Sequence, residues 1–264
     1  MLASPIIWEN IHIVSNQHFI YLADAFLQGN TFISPAFIEG VPLDYVIYNN
    51  NYYWPQAPFA AIVLLPFVFL FGTTLLQGYL HLLIIAAVFG LLYYLCRHFS
   101  FSVENSLFLT TGFVFGSVSF GVAMLSWSYF FAQSLSLFFM LAAVVLYYKK
   151  QNWLLIGICL ALAIATRYTL IIAPLFFAAM IFSKYKIQSR QEILKKLVQL
   201  GTPILIVVCG VVIYNYVRFD SFLTTGYATA TLGGNDLYNF SEYALFNIQN
   251  IPGNLYYYFL KMPE

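Results

Sequence analysis

NSLFLTTGFVFGSVSFGVAMLSWSYFFAQSLSLFFMLAAVVLYY, residues 105–148, runs for 44 residues without one charged side chain. Crossing the hydrocarbon of a bilayer takes about 20 consecutive apolar residues. The stretch therefore reads as two crossings of about 22 residues each, with the polar SWS at 126–128 as the turn between them. Lys149 and Lys150 close this hairpin. Working outward, Thr73–Cys96 is a third apolar run, ended by Arg97 and His98, and Leu197–Val217 is another, ended by Arg218. Gln151–Thr166 and Tyr168–Ser183 are two shorter runs of 16 residues on either side of Arg167. The expectation is an all-α, polytopic helical membrane protein with about six membrane-crossing segments. Composition points the same way: 61% of residues are hydrophobic and 8% charged, with mean hydropathy +0.79, against about 25% charged in soluble domains.

Charge gives the orientation independently of hydropathy. If Arg97, Lys149, Lys150 and the 184–196 loop are cytoplasmic, that side holds eight of the 11 Lys and Arg residues, leaving only Arg167, Arg218 and Lys261 outside. This is the pattern of cytoplasmic loops in multispanning proteins. The acids fall the other way, with only Glu104 and Glu192 inside. Tyr93, Tyr94, Tyr147, Tyr148, Trp153, Tyr214 and Tyr216 stand at span ends, where aromatic belts form. A net charge of +1, with no Lys/Arg run interleaved with aromatics, argues against a nucleic-acid partner. Cys96, Cys159 and Cys209 each lie in an apolar run without CxxC spacing and read as small core residues.

The chain thus divides into an outer segment (1–72), a transmembrane bundle (73–217) and a second outer segment (218–264). Residues 1–15 carry neither a basic leader nor a long apolar core, so they do not read as a signal peptide. HFIYLADAFLQGN (18–30) has helical apolar spacing at Phe19, Leu22, Ala23, Phe26 and Leu27, with Gly29 as its stop and Asp24 on the other face. Phe59–Gly72 is 14 residues with Pro66 in the middle, too short to cross and expected as an interfacial or re-entrant helix. Ahead of it, LDYVIYNNNYYWPQAPF (43–59) crowds an acid, three Asn and four Tyr into one outer loop.

Four segments carry a resemblance: HFIYLADAFLQGN, DYVIYNNNYYWPQAPFAAIVLLPFVFLFG (44–72), GICLALAIATRYTLIIAP (157–174) and NYVRFDSFLTTGY (215–227). IPGNLYYYFLKMPE (251–264) adds to them. In their order and sidedness the chain resembles bacterial GT-C glycosyltransferases, integral-membrane enzymes similar to the protein mannosyltransferases, aminoarabinose transferases and rhizobial galacturonosyltransferases. The resemblance implies transfer of a sugar from a polyprenyl-phosphate donor to a glycan, lipid or protein acceptor at the extracytoplasmic face of the cell membrane. It departs from that pattern in lacking a span before the outer loop, in ending at Glu264 in an outer segment, as a fragment would, and in reading SNQ (15–17) where many relatives place an acid.

Such a transfer needs a base for the acceptor hydroxyl, positive charge for the departing phosphate and a surface for the sugar. Asp44 and Asp24 are the candidate bases, each also readable as a solvated or capping acid. Arg167, a lone cation between apolar runs, and Arg218, at the outer end of the last span, are candidates for the donor phosphate; the alternative for both is anchoring at the headgroups. His18, Asn49, Tyr52 and Tyr53 are candidate sugar-binding groups, the tyrosines equally suited to an interfacial belt. Two outer acids can hold a divalent cation through oxygen ligands, but no DxD, ExD or HxxxH pair occurs outside and no metal ligand is assigned. Competing readings are a lipid-linked sugar flippase or transporter, and a non-catalytic remnant acting as a partner subunit.

The orientation predicts that, on a cysteine-free background, Asn49→Cys is labelled by a membrane-impermeant thiol reagent in intact cells and Gln188→Cys only after lysis. Labelling of position 188 from outside would reverse the topology and remove the outer site.

Overall fold

A computed structural model describes residues 8–9, 11–12, 16–38, 45–185, 190–222, 224 and 250–261. Its helices are α1 (His18–Leu27), α2 (Phe59–Phe71), α3 (Gln77–His98), α4 (Val103–Phe115), α5 (Val118–Met124), α6 (Ser128–Lys149), α7 (Trp153–Thr166), α8 (Ala173–Tyr185), α9 (Arg190–Phe219) and α10 (Asn250–Leu255). Two strands, β1 (Val46–Tyr48) and β2 (Asn51–Tyr53), pair antiparallel. Among the described residues the fold is therefore helical, as expected, apart from one hairpin ahead of α2.

Three helices are long and apolar enough to cross a membrane: α3, α6 and α9. A fourth crossing is formed if α4 and α5 count together, bent by 64° at the break between them. The six expected crossings are thus not all present as full-length helices. The two 16-residue runs beside Arg167 explain the difference. Arg167 is extended (φ −142, ψ 106) and ends α7, and a short 3-10 stretch over Tyr168–Ile172 turns the chain into α8. Both arms have their far ends at one place: Trp153 packs on Tyr147, and Lys184 donates to Gln151. At 1.5 Å per residue, the 14-residue α7 rises only about 21 Å, short of the roughly 30 Å hydrocarbon core. At the other extreme, α9 is helical for 30 residues, its charged first turns extending the expected span.

The two ends of the bundle differ in chemistry. At the basic end, Lys149 lies over Tyr94, His98 contacts Tyr148 and Arg97 donates to the Phe101 carbonyl. Ser102 caps α4 through the Asn105 N–H and Asn152 caps α7 through the Leu155 N–H. The cationic ends of α3, α6 and α8 therefore meet at one surface, as the charge asymmetry requires. At the opposite end α1 and α2 pack together over a core of Phe19, Ile20, Leu22, Trp54, Leu64 and Phe131.

A buried polar seam ties α1 to the bundle. The Gln77 N–H at the start of α3 donates to Gln17 Oε1 at 2.7 Å, and its side-chain amide donates to the Ser126 carbonyl. Ser128, first residue of α6, donates both its N–H (3.0 Å) and its hydroxyl (2.9 Å) to the Asn16 carbonyl and accepts from the Phe19 N–H. These bonds occupy orphan donors at the N-termini of α1, α3 and α6. The other end of α1 closes as Gly29 implies: Gly29 has φ +78, its N–H donates to Phe26 and the Asn30 N–H donates to Ala25, a Schellman stop. The buried face of α1 is wider than its spacing suggests, taking in His18, Ile20 and Tyr21, whereas Leu27 is exposed.

Packing of α7 on α9 depends on one glycine. A Cβ at Gly157 would stand 2.4 Å from the Leu200 carbonyl oxygen, and that oxygen is backbone inside a helix. Gly157→Ala is expected to cost about 1–3 kcal/mol through overpacking and to lower the unfolding temperature of the purified protein. Gly210→Ala, at a site with nothing within 4 Å of the added atom, should instead be neutral or stabilising by up to about 1 kcal/mol. Equal behaviour of the two would show that α7 and α9 do not meet this closely.

Candidate functional site

At the C-terminal end of α9 the chain buries a cation. Arg218 is 2% exposed; its Nη1 donates to the Trp54 carbonyl at 2.9 Å and its Nη2 to Asn215 Oδ1 at 2.8 Å. The guanidinium lies 3.9 Å over the Tyr214 ring and 4.6 Å over Phe219. Asn215 and Tyr214 precede it by three and four residues, so one face of α9 carries all three groups. The Arg218 Nε–H has no hydrogen-bond partner among the described residues, and none of their carboxylates forms an ion pair with it.

Trp54 links this cation to α1. Its ring stacks on His18 with centroids 4.0 Å apart and planes 9° apart, and Tyr45 meets both rings edge-on. His18, 4% exposed, is pushed down to about 4 by burial, only partly opposed by a hydrogen bond with the Asn16 backbone. It is therefore a neutral imidazole at pH 7 with little basicity, and its Nδ1 and the Trp54 Nε1–H are unpartnered among the described residues. Tyr53 packs on Phe219 and faces Phe32. Burial pushes its phenol up, with an Asn51 side-chain hydrogen bond and the nearby Arg218 charge opposing.

The structure thus brings Arg218, His18 and Tyr53 into one cluster around Trp54. Tyr52, half-buried and on the opposite side of its strand from Tyr53, meets Tyr45 edge-on and packs against the core that holds Trp54, its carbonyl accepting from the Ile33 N–H. Asn49 lies apart, exposed at the hairpin tip. Asn49 and Asn50 have φ +47 and +61, the two left-handed positions of a type I′ turn, which Asn tolerates better than most residues. The asparagine run thus has a conformational reason, separate from any contact with sugar.

Asp24 faces away from the cluster and accepts from Gln28 Nε2 at 2.6 Å; partial burial pushes its carboxyl up. Asp44 falls outside the described residues. Arg167, half-buried, sits at the tip of the α7–α8 hairpin. Among the described residues no three of His, Cys, Asp and Glu come together to hold a metal. The sequence reading took Trp54 as a possible flat face for a sugar and Tyr214 as a belt residue, and missed Asn215. The spacing of Tyr214 and Asn215 from Arg218 was the available signal, whereas nothing local indicates that a carbonyl 164 residues away would be Arg218's partner.

Comparison with protein families, curated proteins and solved structures finds no match to this chain.

The depressed His18 titration gives a pH dependence of definite sign. Because the folded pKa of about 4 lies below the ordinary 6.5, the unfolded chain takes up the proton first as pH falls. The contribution of neutral His18 is complete above about pH 6.5 and is lost downward to about pH 4, at up to about 1.4 kcal/mol per pH unit. His18→Phe keeps a ring against Trp54 and should flatten this part of the melting-temperature profile between pH 7 and 4.5. An unchanged profile would mean that His18 is solvated and titrates normally.

Proposed function

We propose that this chain transfers a sugar from a polyprenyl-phosphate donor to an acceptor at the extracytoplasmic face of the cell membrane. The observation that supports this reading is the buried Arg218 without a carboxylate partner among the described residues. Desolvating a guanidinium costs several kcal/mol, and cation–π contact at a desolvated site returns about 2 kcal/mol or more, which offsets part of that cost without supplying a counter-charge. A phosphate oxyanion supplies the missing counter-charge, with the Arg218 Nε–H still able to donate to it. Arg167 is the second cation assigned to the donor phosphate. Half-buried Tyr52 and exposed Asn49 are the assigned sugar-binding groups open to a ligand, while His18 and Tyr53 are buried against Trp54 and Phe219 and support that surface from beneath.

In the proposed reaction the acceptor hydroxyl oxygen attacks the anomeric carbon as the bond to the phosphate oxygen breaks. The sugar centre inverts, the hydroxyl proton passes to a carboxylate and the polyprenyl phosphate leaves with the bonding pair. Asp44 is the base assigned to this step and Asp24 its alternate or orienting partner. A flippase or transporter of lipid-linked sugars is the second reading. The 64° break between α4 and α5 favours it, since interrupted helices line substrate paths in transporters.

The protein reconstituted in vesicles with a radiolabelled polyprenyl-phosphate sugar tests both. Asp44→Asn should lower transfer about 100-fold or more, Asp24→Asn less. Arg218→Lys and Arg167→Lys should weaken donor use, since an ammonium cannot reproduce the guanidinium's paired donors. Full transfer in both carboxylate variants would remove the assigned bases, and labelled lipid crossing the bilayer untransferred would establish the second reading.

A further inference from the structure

A cavity of about 190 Å³ lies between α3, α6 and the break that joins α4 to α5. This exceeds the roughly 150 Å³ of an apolar cavity that admits benzene. The cavity is chemically polarised along the membrane normal. Gln133 and Ser134 reach it from the fifth and sixth residues of α6 after Ser128, about 8–9 Å below the outer end. Val88 and Leu137 line it further in, about 16 and 14 Å from the starts of α3 and α6. Ser119 adds a third hydroxyl or amide group from α5, and Val118, 85% exposed, marks where the wall opens sideways.

His81 conditions the polar end. Its ring is fully buried, its Nε2 is 2.8 Å from Ser134 Oγ, and its Nδ1 has no partner among the described residues. An unpaired lone pair is a cheaper omission than an unpaired N–H. The favoured tautomer therefore carries the proton on Nε2 and donates it to Ser134. The Ser134 hydroxyl proton is then left to meet an acceptor from within the cavity.

Every wall belongs to a membrane-embedded helix, so an occupant enters from the bilayer. It must be apolar along the inner half and offer an oxygen acceptor about 8 Å below the outer helix ends. An acyl chain with its ester carbonyl meets both conditions, while an isoprenoid chain has no acceptor below its phosphate. We infer that the cavity seats the upper part of one acyl chain of an outer-leaflet phospholipid, its ester carbonyl held by Ser134, Gln133 and Ser119 and its first methylenes running inward past Val88 and Leu137, the rest of the chain lying in the bilayer where the wall opens. The inference does not rest on the transferase reading, and its test reads lipid retention and not sugar transfer.

Native mass spectrometry of the full chain in detergent, incubated with palmitoyl-oleoyl phosphatidylglycerol or in parallel with undecaprenyl phosphate, is the test. One phospholipid should be retained per chain. Ser119→Phe and Leu137→Phe, which fill the cavity from opposite walls, should abolish that adduct. Ser134→Ala should weaken it about fivefold, the free energy of one net hydrogen bond. Leu109→Phe, on the lipid-facing side of α4, should leave it intact. Equal retention by the filled variants and the Leu109 control would overturn the site, as would preferential retention of undecaprenyl phosphate. If one filling variant fails to fold, the other carries the same reading.

Discussion

The end of this molecule opposite its cationic surface hangs on hydrogen bonds made by helix starts. The first turns of α1, α3 and α6 each leave N–H groups without partners inside their own helix, and in a region of low water content such groups cost several kcal/mol if left bare. The chain resolves this by letting the starts satisfy one another: Asn16 and Gln17 serve Ser128 and Gln77, and Ser128 serves Phe19. The N-terminal segment is fixed against two spans before any side chain of the cluster is considered. His18 and Phe19 follow directly, which is why Trp54 finds a flat partner and an edge-on one there.

Arg218 is held by the same logic from the other side. Its bond to the Trp54 carbonyl joins the end of the last span to the loop after the hairpin, so seam, tryptophan and arginine form one connected polar structure inside an aromatic shell. The arrangement uses neutral acceptors and π-faces to hold a charge, leaving the ionic term unfilled by the described residues. That imbalance distinguishes Arg218 from a snorkelling helix-end arginine, whose charged head would reach water.

The helical membrane fold was legible because charge-free length and Lys/Arg placement are long-range averages that local detail barely perturbs. What escaped was local. VIYNNNYY carries alternating apolar positions around an Asn pair, a hairpin signal, yet the Asn run invites a reading as binding chemistry. The break at residues 116–117 leaves no charge or proline in the sequence, because Ser117 satisfies freed backbone groups by bonding to the Phe113 carbonyl and the Ser119 N–H. The hairpin at Arg167 was half visible: two short runs were measured, but two crossings and a shallow pair have the same hydropathy. Of the candidate site, Arg218, His18 and Trp54 were picked out by position and type, while the contacts that join them are tertiary and one sequence cannot reveal them.

The unequal helices also act on the lipid. From Leu197 to Phe219, α9 presents 23 apolar-rich residues, about 34 Å of rise, and packs directly against α7, which offers about 21 Å. One exceeds the hydrocarbon thickness and its neighbour falls short, so hydrophobic mismatch changes sign across a single helix–helix contact. The bilayer must thicken, or α9 tilt, on one flank, while it thins on the other. A change in acyl-chain length would therefore act on these two helices in opposite senses, relieving the mismatch at one while deepening it at the other.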